Sequence, residues 1–231
     1  MTERDRDQAA DVAVAPGNPL FMRFIGRLLG LLSHELNNHL AILRESIGLA
    51  DDILSAKNMP EKKRLDDLTA LVRSLDEKLN RPIAIVRHVG DLSLQIEQDA
   101  AGHEADLIVD RLLSLIQRMA IQRKIIVRKS FAGHAIGLSS DPLLMQFLLF
   151  ALLDNLYSAL DSGGRVTIDT ARKGKDYIIR ITSEQTPLTM PGNEPWPQKA
   201  LFDTVNRTGG TLHYGEGGGT ITLTFPVAES R

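Results

Sequence analysis

Between Pro19 and about Lys57 the chain has no internal proline, and its only glycines are Gly26, Gly30 and Gly48, so a single long helix is permitted. Ile25, Leu29, Leu32, Leu36, Leu43, Ile47, Ala50 and Leu54 recur there at spacings of three, four or seven residues, the period of a bundle or coiled-coil stripe. The pattern stops at "AKNMPEKK", where Asn58 and Pro60 end one helix and Pro60 and Glu61 suit the start of the next. The second pattern, through Leu65, Leu68, Leu71, Val72, Leu75, Leu79, Ile83, Val86 and Val89, reaches about Gln98, with a kink expected at Pro82. Two helices of this size are each about 60 Å long at 1.5 Å per residue. So thin a hairpin cannot bury its own apolar stripe, and pairing with a second copy in a four-helix bundle is expected.

From about residue 101 the rhythm changes. "EADLIVDRLLSLIQRMAIQRK" reads as a helix, "IIVRKSF" as a strand, and "SSDPLLMQFLLFALLDNLYSAL" as a helix opened by a Ser or Asp cap with Pro142 in its first turn. "GGRVTIDTARKGKDYIIRITS" and "GGTLHYGEGGGTITLTFP" each read as a pair of strands around a glycine-containing turn. Gly209 and Gly210 close a helix and open a strand, and the cluster Gly217, Gly218 and Gly219 is a hairpin tip, since no lysine follows to make it a phosphate loop. The expected fold class is α+β: a tail over residues 1–18, a helical hairpin over 19–100, and an α/β sandwich over 101–231, with the boundary near Ala101 and Gly102.

Composition excludes more than it selects. The 231 residues are 43% hydrophobic and 24% charged, ordinary globular values. A net charge of −2 argues for neither nucleic acid nor anionic membrane as a partner. The absence of cysteine removes disulfides, thiolate metal sites and cysteine nucleophiles together. The polar N-terminal stretch lacks the apolar core of a signal peptide, and no later run reads as a membrane span, so a cytoplasmic location is expected.

Within the first helix stands "SHELNNHL", residues 33–40. His34 lies two positions from both Leu32 and Leu36, so at 100° per residue it points away from the stripe. Asn38 is four residues on and shares its face, while Glu35 stands to one side, placed to hydrogen-bond one ring nitrogen and leave the other with its lone pair. His34 and His39 are five residues apart where the helical zinc motif needs four, so no metal site is expected.

"SHELNNHLAILRESIGLADDIL" resembles the phosphoacceptor box, H-E-x-x-N, of bacterial sensor histidine kinases, which lies in the first helix of a dimeric hairpin. The resemblance implies that His34 is the phosphoacceptor, Glu35 its neighbouring acid or base, and Asn38 the polar residue assisting transfer or hydrolysis. His39 replaces a proline common in that family, which implies a straighter helix. It extends to "SSDPLLMQFLLFALLDNLYSALDSGGRVTID", which is similar to the kinase stretch carrying N-L-L-x-N-A-x-x-A: Asn155 matches the second asparagine, a magnesium ligand in active kinases, and Ala151 stands at the first.

The remaining nucleotide motifs depart from the family. Ser183, Gln185 and Pro187 stand where D-x-G-x-G is expected, and Pro195 and Pro197 interrupt the glycine-rich lid, where proline has no N–H to offer a phosphate. The resemblance is therefore closest to histidine phosphotransferases built on a kinase-like dimer with a degenerate ATPase-like domain. It implies relay of a phosphoryl group between receiver-domain aspartates of response regulators through His34, with no cofactor bound by this chain, Mg2+ supplied by the receiver, ATP not bound, and Asn155 vestigial. Two rivals are a histidine kinase with an unusual ATP site and a non-catalytic scaffold that binds receivers. Trp196, the single tryptophan, is expected to plug the remnant of the lid, and Arg27, Asn38 and Glu45 are candidates for receiver recognition.

Overall fold

The computed structural model describes residues 19–97, 104–133, 136–184, 195–216 and 219–228, with side chains of 92–97 left aside. The chain divides into two units: Leu28–Ser93, and a second in which residues up to Arg27 join those from Leu94 onward. The expected boundary at Ala101 and Gly102, the tail, and Gly217 and Gly218 of the glycine cluster lie outside the described residues.

The hairpin is made by α1 (Pro19–Ser55) and α2 (Glu61–Glu97), and α2 runs on through Pro82. Its turn is closed by Arg64, whose guanidinium donates to the carbonyls of Ala56 (2.9 Å) and Met59 (3.3 Å) just beyond the end of α1. The single apolar stripe expected on each helix separates into two. Leu28, Leu32, Ile53, Leu71 and Ile85 are buried, whereas Leu40, Ile47 and Leu54 on α1 and Leu65, Val72, Leu79 and Val86 on α2 are exposed. Each exposed set repeats every seven residues, while the inward set is offset from it.

In the second unit the chain continues as α3 (Ala105–Leu115), α4 (Gln117–Gln122), β1 (Ile126–Ser130), α5 (Pro142–Ala159), β2 (Arg165–Lys173), β3 (Asp176–Ser183), α6 (Gln198–Arg207), β4 (Thr211–Tyr214) and β5 (Thr220–Pro226). The stretch read as one helix breaks in two at Ile116, whose φ of −96° and ψ of 5° leave the helical region. Strand order is β1-β2-β3-β5-β4; β1 and β2 are parallel, joined through α5, and the other neighbours are antiparallel. Alternation places Val166 and Ile168 of β2, Tyr177, Ile179 and Ile181 of β3, and Ile221, Leu223 and Phe225 of β5 on the helix-covered face, and all are buried.

α5 opens with the Asp141 carboxylate accepting from Leu143 N–H at 2.8 Å, with Pro142 at the first position. Apolar on nearly every side, α5 is the core helix: it is long and apolar enough to cross a membrane, but 83% of it is buried within the fold. After α6 the chain reverses through Gly209 at φ +70°, and Gly210 approaches β5 so closely that a Cβ there would stand 2.1 Å from the Thr224 carbonyl oxygen.

A part-buried polar network joins α3 to the sheet. Asp106 accepts from Thr170 (2.6 Å) and Tyr177 (2.7 Å) through one oxygen and from the Gly133 N–H (3.1 Å) through the other. Burial, and secondarily the bond to Asp106, makes the Tyr177 hydroxyl harder to ionise; burial alone does the same to Tyr157. The unfolded chain releases these protons near the ordinary tyrosine value of about 10, whereas the folded chain retains them. Their contribution is thus full below about pH 10 and is lost as pH rises toward the elevated folded-state values. Urea midpoints measured from about pH 8 to about pH 11 are expected to fall at the alkaline end, and to fall less steeply when Tyr157 and Tyr177 are both replaced by phenylalanine.

Candidate functional site

His34 sits on the exposed side of α1. One turn on, the Asn38 amide nitrogen lies 3.3 Å from Nδ1 of the ring, as expected for residues four apart on a helix. A primary amide can serve either tautomer. With its NH2 toward Nδ1 it leaves the proton on Nε2; a half-turn presents the amide oxygen, which accepts Nδ1–H and leaves Nε2 with its lone pair.

Glu35 is placed differently from expectation. Successive helical residues do not face each other, and Glu35 turns inward, only 6% exposed. Its Oε1 accepts from Nε of Arg81 on α2 at 2.8 Å and lies 3.9 Å from Nε2 of His39. The carboxylate read as the partner of the His34 ring bonds Arg81 instead, and the amide of Asn38 meets the imidazole at Nδ1. Farther along, Lys78 donates to Ser46 (3.3 Å), which donates back to the Ile42 carbonyl (2.9 Å). Arg81 escaped the sequence reading because pairing across a hairpin depends on interhelical register, which the spacing within one helix does not set.

The second cluster surrounds Asn155. Its Nδ2 donates to the Trp196 carbonyl at 2.8 Å, and its Oδ1 accepts from the Trp196 N–H at 3.0 Å, so one side chain reads both backbone groups of the tryptophan. The indole N–H donates to Oδ2 of Asp154 at 2.7 Å, and Arg27 donates to Oδ1 of the same carboxylate at 2.8 Å. Phe147 and Phe150 meet the indole edge-on at 5.7 and 5.8 Å, Phe24 packs on both phenylalanines, and the Arg23 guanidinium lies 5.1 Å from the indole centroid. Trp196 and Phe24 have no exposed surface. The opening turns of α1 therefore belong to the α/β unit, and Arg27, read as a candidate for receiver recognition, is tied to Asp154.

Ala151 is fully buried, and Ser183, at the position where a kinase aspartate was sought, is 5% exposed. Gln185 and Pro187 lie outside the described residues. Pro195 and Pro197 flank the tryptophan, and Pro197 caps α6. A separate cavity of about 140 Å³ borders Tyr157, Lys129 and Leu113. Two residues beyond Asn155 on α5, Tyr157 faces about 160° away from it, so this cavity is not the Asn155 position.

Replacing Trp196 by alanine is expected to destabilise the α/β unit by about 3–5 kcal/mol, the usual cost of truncating a buried tryptophan. In the unsubstituted protein its fluorescence, the only indole signal, is expected to be blue-shifted and resistant to iodide quenching. The stability difference is read from urea titrations of both proteins followed by circular dichroism, and the burial of the indole from emission and iodide quenching of the unsubstituted protein.

No family model matches the sequence. The C4-dicarboxylate transport sensor protein DctS of Rhodobacter capsulatus is 23% identical over 89% of this chain and 34% of its own length, so the chain spans about a third of that relative. Histidine kinase ThkA, solved in complex with response regulator protein TrrA, has a TM-score of 0.50 and 13% identity, covering 99% of this chain and 68% of that one. Acinetobacter baumannii histidine kinase AdeS has a TM-score of 0.45 and 17% identity, covering 85% of this chain and 98% of that one. The fold is that of a sensor histidine kinase core: long paired helices followed by a mixed five-stranded α/β domain.

Proposed function

We propose that this protein is a histidine phosphotransferase, relaying a phosphoryl group from the aspartate of one response-regulator receiver to that of another through His34, in the cytoplasm. The observation that carries the reading is the pairing of an outward imidazole, met at Nδ1 by Asn38, with a kinase-like domain whose Asn155 is engaged at both ends of its amide by Trp196. The residues present do not fit a nucleotide. The asparagine oxygen that would meet magnesium accepts from a backbone N–H, the indole fills the neighbouring space, Ser183 has no carboxylate for adenine, and Pro195 and Pro197 have no N–H for phosphate.

With the Asn38 oxygen accepting Nδ1–H, the Nε2 lone pair attacks the phosphorus of a receiver's aspartyl phosphate. The P–N bond forms, the P–O bond to aspartate breaks, and aspartate leaves as a carboxylate. The second transfer reverses these steps onto another receiver. Mg2+ in the receiver's acidic pocket offsets the charge of the phosphoryl group, and this chain's contribution is position and polarity. That ThkA is held with a response regulator in its solved complex supports receivers as the partner class.

The same reading includes a homodimer. The exposed heptads of Leu40, Ile47 and Leu54 and of Leu65, Val72, Leu79 and Val86 match what a second hairpin would cover in a four-helix bundle. Val72→Glu combined with Leu79→Glu is expected to turn a dimer into a monomer in analytical ultracentrifugation; an unchanged mass would rule this face out.

The test of function is incubation with radiolabelled ATP alone, then with an active kinase and a panel of receivers, beside His34→Ala. Label that needs a phosphorylated receiver and His34 supports the relay. Label from ATP alone makes the protein a kinase, and receiver binding without label makes it a scaffold.

A further inference from the structure

We infer that Arg81 is the positioning residue of the phosphoacceptor site, acting on His34 through Glu35; this rests on the reading of His34 as the residue that carries phosphate. Glu35 directly follows His34 in sequence, is 6% exposed, and has its carboxylate in the seam between the helices. A carboxylate so buried needs a partner, and the partner is the Arg81 guanidinium of α2, at 2.8 Å with Nε as donor. His39, on the same helix and the same side as Glu35, approaches only to 3.9 Å.

Two consequences follow for the chemistry. The guanidinium offsets a negative charge that otherwise stands one residue from a nucleophile awaiting a phosphoryl group, itself anionic. It also holds the carboxylate inward, so that the imidazole takes its hydrogen bond from Asn38 and its tautomer follows from the amide. Without Arg81 the carboxylate is left unpaired in the seam, where swinging outward toward water brings it to the edge of the His34 face. The effect of Arg81 is assigned to its bond with Glu35.

A four-member cycle tests this: the unsubstituted chain, Arg81→Met, Glu35→Gln and the double variant, each with circular dichroism to establish a folded hairpin. Two rates are taken: transfer from a phosphorylated receiver, and phosphorylation of His34 by potassium phosphoramidate followed by 31P NMR. In the second reaction the P–N bond of the reagent breaks, ammonia leaves, and a P–N bond to Nε2 forms, so it needs no receiver. Arg81→Met is expected to slow both maximal rates by about tenfold or more, the scale of a displaced catalytic group, with the half-saturating receiver concentration unchanged.

In the Glu35→Gln background the same substitution is expected to change the rates by less than about twofold, and Arg81→Lys, which keeps the charge, to recover part of the loss. Equal slowing in both backgrounds, or none in either, overturns the inference. Should Arg81→Met unfold the hairpin, Arg81→Lys with and without Glu35→Gln gives the same decision. Failure of every receiver to label His34 overturns the relay but leaves the phosphoramidate rates to decide on Arg81.

Discussion

Asp154 ties together segments of the chain that are far apart in sequence. One of its oxygens accepts from the Trp196 indole and the other from Arg27, so a single buried carboxylate joins α5, the segment before α6, and the opening turns of α1. A carboxylate taken out of water is costly unless each oxygen is satisfied, and here a neutral donor and a cation satisfy one oxygen each. The aromatic packing of Phe24, Phe147, Phe150 and Trp196 surrounds the buried indole bond, while Arg27 reaches the carboxylate from a part-exposed position. The helix that carries His34 thus starts as part of the α/β unit, and its first turns are core residues of that unit before the hairpin begins.

Period and punctuation made much of this legible. Proline at 19 and 60 and the Asn58 turn set the hairpin, and its first helix ends at Ser55, close to where the apolar pattern stops. Strict alternation in Val166, Ile168, Tyr177, Ile179, Ile181, Ile221, Leu223 and Phe225 announced strands buried on one face. Trp196 was legible as a plug because two prolines bracket it where a lid needs glycines.

What stayed hidden depends on register between elements. One stripe was read on each helix where there are two faces, because a pattern of spacings does not say which leucines meet the partner helix and which meet solvent. The same blindness hid Arg81, and it gave Glu35 to the wrong neighbour. Adjacency in sequence suggested His34, whereas on a helix adjacent side chains diverge and the neighbour in space came from 46 residues away. The break at Ile116 escaped for a different reason: apolar residues continue on both sides of it, so periodicity alone had nothing to register.

The seam of the hairpin raises a last physical point. Apolar residues at 35 and 81 would be at least as stable as a buried ion pair, since desolvating two charges offsets most of their attraction. Stability alone therefore does not account for the Glu35–Arg81 pair in the seam between the helices. A fixed charge pair does supply what an apolar pair lacks: it favours one register of α1 against α2, because a slip by one residue would leave the buried Glu35 carboxylate unpaired. On the proposed role of His34, the bond that fixes this register is also the one that holds the Glu35 carboxylate away from the imidazole.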